Sequence, residues 1–289
     1  GGLDDLTTED LFDYKTDLWL GFYTEEGIRV ALERYGIFDE FRDRGFESFR
    51  VVTDIDDPEE HMLRIWSTEP EVAEPLLELV VSRRLLQPKQ PLFREVDIEY
   101  APVLTIEWLL MQNPTEDFAP DRLPLPGQTN PGLGIGLQVM EILRNVCRRL
   151  DLAGMVTVPS YLHNAVMYDP AFNYLNPTFE GMFQAIRRQV IPQVAGSLPA
   201  ATWAMKWQMV VDDAQVSDGS FEWFHEAMMC PVSELFRDYL KSDRYLDEVL
   251  HQADKHEFRV FNDALEETLA SKGLEPFDPT LDDNEFLSV

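Results

Sequence analysis

Apolar side chains recur along this chain at three- and four-residue spacing in some stretches and at every second position in others. Thr24 opens a helical pattern carried by Ile28, Ala31, Leu32 and Tyr35 that ends near Gly36, with a short turn over Phe38 to Arg44. Phe49-Arg50-Val51-Val52-Thr53 and Met62-Leu63-Arg64-Ile65-Trp66 predict two strands around the polar turn Asp54-Ile55-Asp56-Asp57-Pro58-Glu59-Glu60. Val72, Leu76, Leu77, Val80 and Val81 fall at helical spacing behind Pro70, which predicts a helix. Two further strands are expected at Glu95 to Tyr100 and Val103 to Gln112. The second is interrupted by Glu107, a carboxylate that is costly inside a strand unless it faces solvent, a partner or a cleft.

Asn113 to Asn130, rich in Pro and acids, is expected to be a long loop. An amphipathic helix follows over Leu137 to Leu150, and Gly154 to Val158 is short and apolar enough to be the return strand of a crossover. A helix around His163 to Tyr168 should break at Pro170, and Phe179 to Val194 is helical again. Trp203, Met205, Trp207, Met209 and Val211 alternate with smaller or polar residues, a strand pattern, with Phe221-Glu222-Trp223-Phe224 as its hairpin partner. From Pro231 to Ser271 the pattern is helical, with Leu235, Tyr239, Leu246, Val249, Leu250 and Phe258 as candidate inward residues. No internal repeat is visible.

A chain of 289 residues, 45% hydrophobic, can bury a large core as one large domain or two modest ones. It has no apolar run of about eighteen residues to span a bilayer, and its N-terminal stretch is acidic from Asp4, so the expected location is cytoplasmic. A net charge of −29 argues against nucleic acid and anionic membranes as partners. The 18 Arg and 6 Lys against 53 acids resemble the composition of salt-adapted proteins, whose self-repulsion is screened by salt. Cys147 and Cys230 stand far apart and form no metal-ligand spacing with the five histidines, so both are expected as buried thiols. His251 and His256 are five apart, on different helix faces. The aromatics of Trp203 to Trp207 and of Trp223 to His225 suit a core better than a pocket.

The stretch with the most chemistry is Pro126-Gly127-Gln128-Thr129-Asn130-Pro131-Gly132-Leu133-Gly134-Ile135-Gly136, which runs straight into the helix from Leu137. It lacks the Gly-Lys-Ser/Thr ending of a nucleotide P-loop, and Leu137 and Val139 break the dinucleotide spacing. Glycines that open a helix expose unpaired N–H groups at the positive end of its dipole, where a phosphate can sit. The same glycines also serve a turn that merely packs tightly against a sheet.

Glu107-Trp108-Leu109-Leu110-Met111, Pro131-Gly132-Leu133-Gly134-Ile135-Gly136 and Asn164-Ala165-Val166-Met167-Tyr168 occur in the order strand, loop and later helix. In type and order they resemble the GNAT superfamily of acyl-CoA-dependent N-acyltransferases, over roughly residues 103–228. The resemblance implies an α/β (α+β) fold with a GNAT-like mixed sheet: an N-terminal α/β extension over 1–94, an acyl-CoA-binding core over 95–228 and a helical segment with an acidic tail over 229–289. It implies acetyl-CoA or another acyl-CoA as cofactor and a small-molecule or peptide amine as acceptor, and it is compatible with a homo-oligomer.

Carried over by position, the resemblance assigns the pantetheine arm to the backbone of Leu109, Leu110 and Met111. It assigns the pyrophosphate to the amides of Gly132, Leu133, Gly134, Ile135 and Gly136. Pro131 stands where the family has a basic residue or Gln, a departure that leaves Gln128 as substitute. Asn164 would contact the cofactor arm, and Tyr168 would protonate the departing thiolate. Glu107 falls where many members place the base, with His163 the runner-up; Glu107 reads equally as a carboxylate bonded to a neighbouring backbone or Arg. The long insertion at 113–130 is a second departure and can cover the cleft. Two other readings stay open, a GNAT-like binding or scaffold protein without turnover and a hydrolase using the same cleft.

The charge balance carries its own expectation. Thermal stability should rise between low and molar potassium chloride, and an unchanged melting temperature would separate the composition from salt adaptation.

Overall fold

The structure is a computed structural model, and it describes residues 6–7, 17–87, 100–119, 122–215 and 219–274. After the two-residue strand β1 (Leu6–Thr7) come α1 (Glu25–Arg34) and α2 (Ile37–Asp43), then the strands β2 (Ser48–Asp54), β3 (Glu60–Glu69), β4 (Leu77–Leu86) and β5 (Ala101–Met111). Next are α3 (Gly136–Arg149), β6 (Gly154–Thr157), α4 (Leu162–Tyr168), β7 (Asn173–Tyr174), α5 (Pro177–Gln193) and α6 (Leu198–Lys206). The chain continues through β8 (Val210–Asp212), β9 (Met228–Pro231), α7 (Glu234–Leu240), α8 (Asp243–Ala253), β10 (Phe258–Val260) and α9 (Asn262–Ser271).

The fold is a mixed α/β arrangement around one large sheet ordered β2-β3-β4-β5-β6-β9-β7, with β1 paired to the end of β4. Neighbours are antiparallel except β5 and β6, whose parallel pairing joins Leu104 to Met155, Thr105 to Val156 and Ile106 to Thr157. The expected strands Val103 to Gln112 and Gly154 to Val158 thus lie side by side, and β2 and β3 fall where alternation placed them. The expected strand at Glu95 to Tyr100 falls mainly outside the described residues, and Tyr100 immediately precedes β5.

The sheet buries its two faces differently. On one, Leu63, Ile65, Leu79, Val81, Leu104, Ile106 and Met155 pack with Phe38 and Phe41 of α2 and Val139 and Leu143 of α3 in the main core. On the other, Val103, Val156 and Met229 pack under Phe236, Tyr239 and Tyr245 of α7 and α8. This second cover reaches β4 and β5 at Leu86, Ala101 and Val103, and away from them Val52 and Trp108 are exposed.

Several expected elements are corrected. Leu76 to Val81 is not helical: Leu77, Leu79 and Val81 are buried at alternate positions in β4, which is paired on both sides. Leucines and valines four apart satisfied both periods, and sheet pairing decided between them. Trp203 to Trp207 lies in α6, begun by Ser197, whose side chain accepts the Ala200 N–H, and by Pro199 in the first turn. Trp203 and Trp207 are four apart with ring centroids at 4.6 Å, so alternating aromatics here were also one helical stripe. Only Val210–Asp212 is extended, and it pairs with β10 rather than with Phe221 to Phe224, which form no strand. Phe38 to Arg44 is a helix rather than a turn. Leu235, Leu246 and Leu250 are exposed, whereas Tyr239, Val249 and Phe258 point inward.

Helices α5 and α8 meet at Gly181, where a Cβ would stand 2.5 Å from the Val249 carbonyl oxygen and 2.9 Å from the Ala253 nitrogen. Gly181→Ala should destabilise the chain by about 1–3 kcal/mol through overpacking, despite the better helix propensity of Ala. A thermal melt reads this, and an unchanged midpoint would show that the two helices separate without cost.

Candidate functional site

Two neighbouring features set the site. Parallel pairing of β5 with β6 stops at Ile106 and Thr157, because β6 ends there while β5 runs on to Met111. Among the described residues, the backbone of 107–111 pairs only with β4, so its other edge is free. The register with β4 shifts here too: Val81 faces Ile106 and Val80 faces Trp108, leaving Glu107 as the extra residue of a β-bulge. The bulge changes which residues face the core, so that Leu104 and Ile106 face it before the bulge and Leu109 and Met111 after it.

The glycine loop reaches the far end of this free edge. Gly132 bridges Gln112, and the Asn113 N–H donates to the Pro131 carbonyl at 2.8 Å. Within the loop Pro131, Leu133 and Ile135 are buried while Gly132 and Gly134 are exposed. The apolar residues anchor the loop in the core and turn the glycines outward. Gly134 has φ +66°, a left-handed conformation that favours glycine. Ile135 is the N-cap of α3 and offers no side-chain acceptor, and the first turn holds no acid. Val139 is the first amide bonded back, to Ile135, so the N–H groups of Gly136, Leu137 and Gln138 have no intrahelical partner. An uncapped helix end of this kind favours an anion.

Beside it stands a cation that no local pattern in the chain announces. Arg44, just past α2, donates through one nitrogen to the Glu40 carbonyl at 2.7 Å and to the Glu40 carboxylate at 2.8 Å. Its other terminal nitrogen lies 3.8 Å from where a Cβ on Gly134 would stand. Glu40 also accepts from the Gln138 side chain at 3.4 Å, which ties α2 to the first turn of α3. Gln128, the expected substitute for a basic loop residue, uses its carbonyl oxygen to accept the Leu125 N–H at 3.2 Å, with its amide nitrogen 3.8 Å from the Cβ position of Gly132. No signal in the sequence linked residue 44 to residue 134.

Tyr168 ends α4, and its hydroxyl bonds Thr157, the last residue of β6. Thr157 in turn donates to the Ile106 carbonyl at 3.3 Å, across the final β5–β6 pair. The phenol therefore stands where the strands part, and burial pushes its pKa up to about 12, which keeps it protonated near neutrality. Asn164 lies in the first turn of α4. Its carbonyl oxygen accepts the Tyr161 N–H at 3.2 Å and so closes the first turn of α4.

Glu107 lies on the sheet face opposite α3. It accepts from the Ser82 hydroxyl at 2.6 Å and from Arg84 at 2.9 Å, with Glu60 3.8 Å from the same guanidinium. His163 is buried and stacked on Tyr161 with ring centroids at 5.4 Å, and its Nδ1 finds no partner. Burial, with Lys206 nearby, holds its pKa down at about 4, so it is neutral near neutrality. Both thiols are buried, as expected; burial raises Cys147 to about 12 and raises Cys230, which accepts from Arg144 at 3.7 Å. His256 bonds Asp212 at 2.6 Å and stacks on Phe258, closing the small β8–β10 sheet away from the glycine loop. A hollow of about 410 Å³ between α1, α2 and β2 is lined by Arg29, Glu33, Phe38, Arg42 and Phe49, whose charges pair among themselves. No helix among the described residues is long and apolar enough to cross a membrane.

No known family's profile matches the chain, and no curated protein matches it. Among solved structures it is similar to one described as AtaT complexed with acetyl-methionyl-tRNAfMet, at 10% identity and a TM-score of 0.27, over 51% of this chain and 73% of that one. A likeness that slight assigns neither fold nor activity.

The buried histidine gives a pH signature. Its folded pKa lies below the ordinary value near 6.5, so the unfolded chain binds the proton first as pH falls, and the stability that His163 permits at neutral pH is lost between about 6.5 and 4. Chemical denaturation across that window should show His163→Leu losing less stability than wild type, and parallel profiles would show that His163 takes up its proton alike in the folded and unfolded chain.

Proposed function

We propose that the chain is an acyl-CoA-dependent acyltransferase of the GNAT type that acts on an amine. One observation carries the reading: a free strand edge, opened where parallel β5 and β6 part, ends against an uncapped, glycine-opened helix. A long thioester with a charged tail suits that pair, its amide-bearing arm along the edge and its phosphates at the helix. The order of strand, loop, helix, strand and helix also agrees with the motif resemblance.

Each residue then has a part. The backbone of Leu109, Leu110 and Met111 binds the pantetheine arm, and the amides from Gly134 to Gln138 donate to the pyrophosphate, with Arg44 as the cation that Pro131 does not provide. The acyl thioester supplies an activated carbonyl. The amine nitrogen attacks that carbonyl, the carbon–sulfur bond breaks, and the amine proton leaves towards Glu107 or solvent. Tyr168 gives its phenolic proton to the departing sulfur and regains one from water; the proton is present at neutral pH, and burial, by raising its pKa to about 12, makes the phenol a weaker acid that the developing thiolate must draw on.

Binding without turnover is the second reading, and a specific observation favours it. One carboxylate oxygen of Glu107 is already engaged by Ser82 and Arg84, so an incoming amine must compete with both for it.

Calorimetric titration with acetyl-CoA and longer acyl-CoAs, paired with a turnover assay, separates these readings. Wild type should bind, and Gly134→Asp should abolish binding because a side chain and a negative charge intrude where phosphate meets backbone. Arg44→Gln should weaken binding by roughly ten- to a hundredfold, the scale of one lost charge-assisted hydrogen bond. Tyr168→Phe should spare binding and slow turnover by about 10² to 10⁴. No binding at millimolar acyl-CoA removes the acyltransferase, whereas binding with no turnover on any amine leaves the scaffold.

A further inference from the structure

The open face of β2 to β5 carries an organised pattern. Residues paired across antiparallel strands point to the same side, so Asp54, Met62, Val80 and Trp108 form one row across four strands. Val52, Arg64, Glu78 and Leu110 form the next row, with Arg64 paired to Glu78. Trp108 is 52% exposed and adjoins the bulge residue Glu107, which faces the same side as Ser82 and Arg84. An aromatic that large, open to solvent at the edge of a candidate site, favours an apolar ligand.

The other end of the row is acidic. The turn from Asp54 to Glu60 holds Asp54, Asp56, Asp57, Glu59 and Glu60 and no basic residue. Asp54 and Asp57 accept backbone N–H groups of Asp56 and Glu59 and so hold the turn, whereas the carboxylates of Asp56 and Glu59 are left to solvent. With strands about 4.8 Å apart, Asp54 lies about 14 Å from Trp108, and the turn carries the other acids on from there.

We propose that this face is the acceptor platform, and that it takes an amine whose apolar arm lies along Trp108, Val80 and Met62 and whose second, distal cation meets the acidic turn at 54–60. The inference rests on the acyltransferase reading, because that reading puts the reacting amine at the Glu107 end of the row. Charge complementarity chooses the occupant: an apolar amine with one charge satisfies only the Trp108 end, and an anionic ligand is repelled by five carboxylates.

The test compares diaminodecane, with an amine at each end, against decylamine, titrated into the full chain without acyl-CoA at low salt. The diamine should bind roughly tenfold more tightly, and the advantage should vanish in Asp56→Asn/Glu59→Gln, which leaves the two turn-holding aspartates in place. Trp108→Ala should weaken both ligands, with circular dichroism confirming that the sheet is intact. Equal affinity for the two amines, or a diamine advantage that survives the acid-to-amide change, overturns the proposal. So does a concentration-dependent dimer that Trp108→Ala disperses while diamine binding stays unchanged, since the face then belongs to a second copy of the chain. Failure of acyl-CoA to bind is a different result: it removes the acyltransferase and leaves these amine titrations readable.

Discussion

The parallel register of β5 and β6 is where the rest of this molecule takes its direction. Three residue pairs hold the strands together, and at Ile106 and Thr157 the pairing ends because β6 stops while β5 continues. A sheet interior does not normally leave backbone polar groups without partners. Here the free edge begins at a pair reinforced by Thr157 and ends at the Gly132 bridge, so it is an opening with two fixed ends rather than a frayed strand. The bulge at Glu107 falls in the same span and turns its side chain to the face opposite α3. One local interruption therefore produces both an edge for an extended ligand and a carboxylate on the far side.

The glycine loop shows how packing prepares a polar site. Burial of Leu133 and Ile135 fixes the loop, and the alternation leaves Gly132 and Gly134 facing out without any polar side chain to steer them. In a chain of net charge −29 a phosphate needs local compensation, because the long-range field opposes it. At this loop the groups able to offer it are the bare end of α3 and Arg44, itself paired with Glu40. Glu40 holds the guanidinium in place, a fixed orientation that a lysine would lack.

Much of this was legible in the sequence. The strand patterns of β2 and β3, the dense apolar run of β5, the cap at Thr24 and the amphipathic helix after the glycines all declared themselves, because each element's local pattern agreed with its environment. Leu76 to Val81 and Trp203 to Trp207 did not, because apolar residues packed densely enough meet both periods at once and tertiary pairing then decides. At the site, the local features could be read from neighbours in the chain: the loop, the helix it opens, and Tyr168 on the following helix. Arg44 beside Gly134 and Arg84 beside Glu107 could not, since such contacts depend on register and helix placement that no short window encodes.

The Glu107 ion pair decides what kind of chemistry the open face can support. A carboxylate that receives a proton from an amine must have an oxygen within reach of it, and Oε1 of Glu107 is already taken by Arg84 and Ser82. Yet Glu60 also approaches Arg84, at 3.8 Å, so the guanidinium is shared between two acids on the same face. An incoming cationic amine competes with Arg84 for both. If it displaces the guanidinium towards Glu60, Glu107 exchanges one cation for another that carries a removable proton, and the ion pair becomes the means by which the amine is placed. On the proposed acyltransferase reading, the network that occupies Glu107 in the free chain is also what would place the acceptor, and turnover would turn on how readily Arg84 yields.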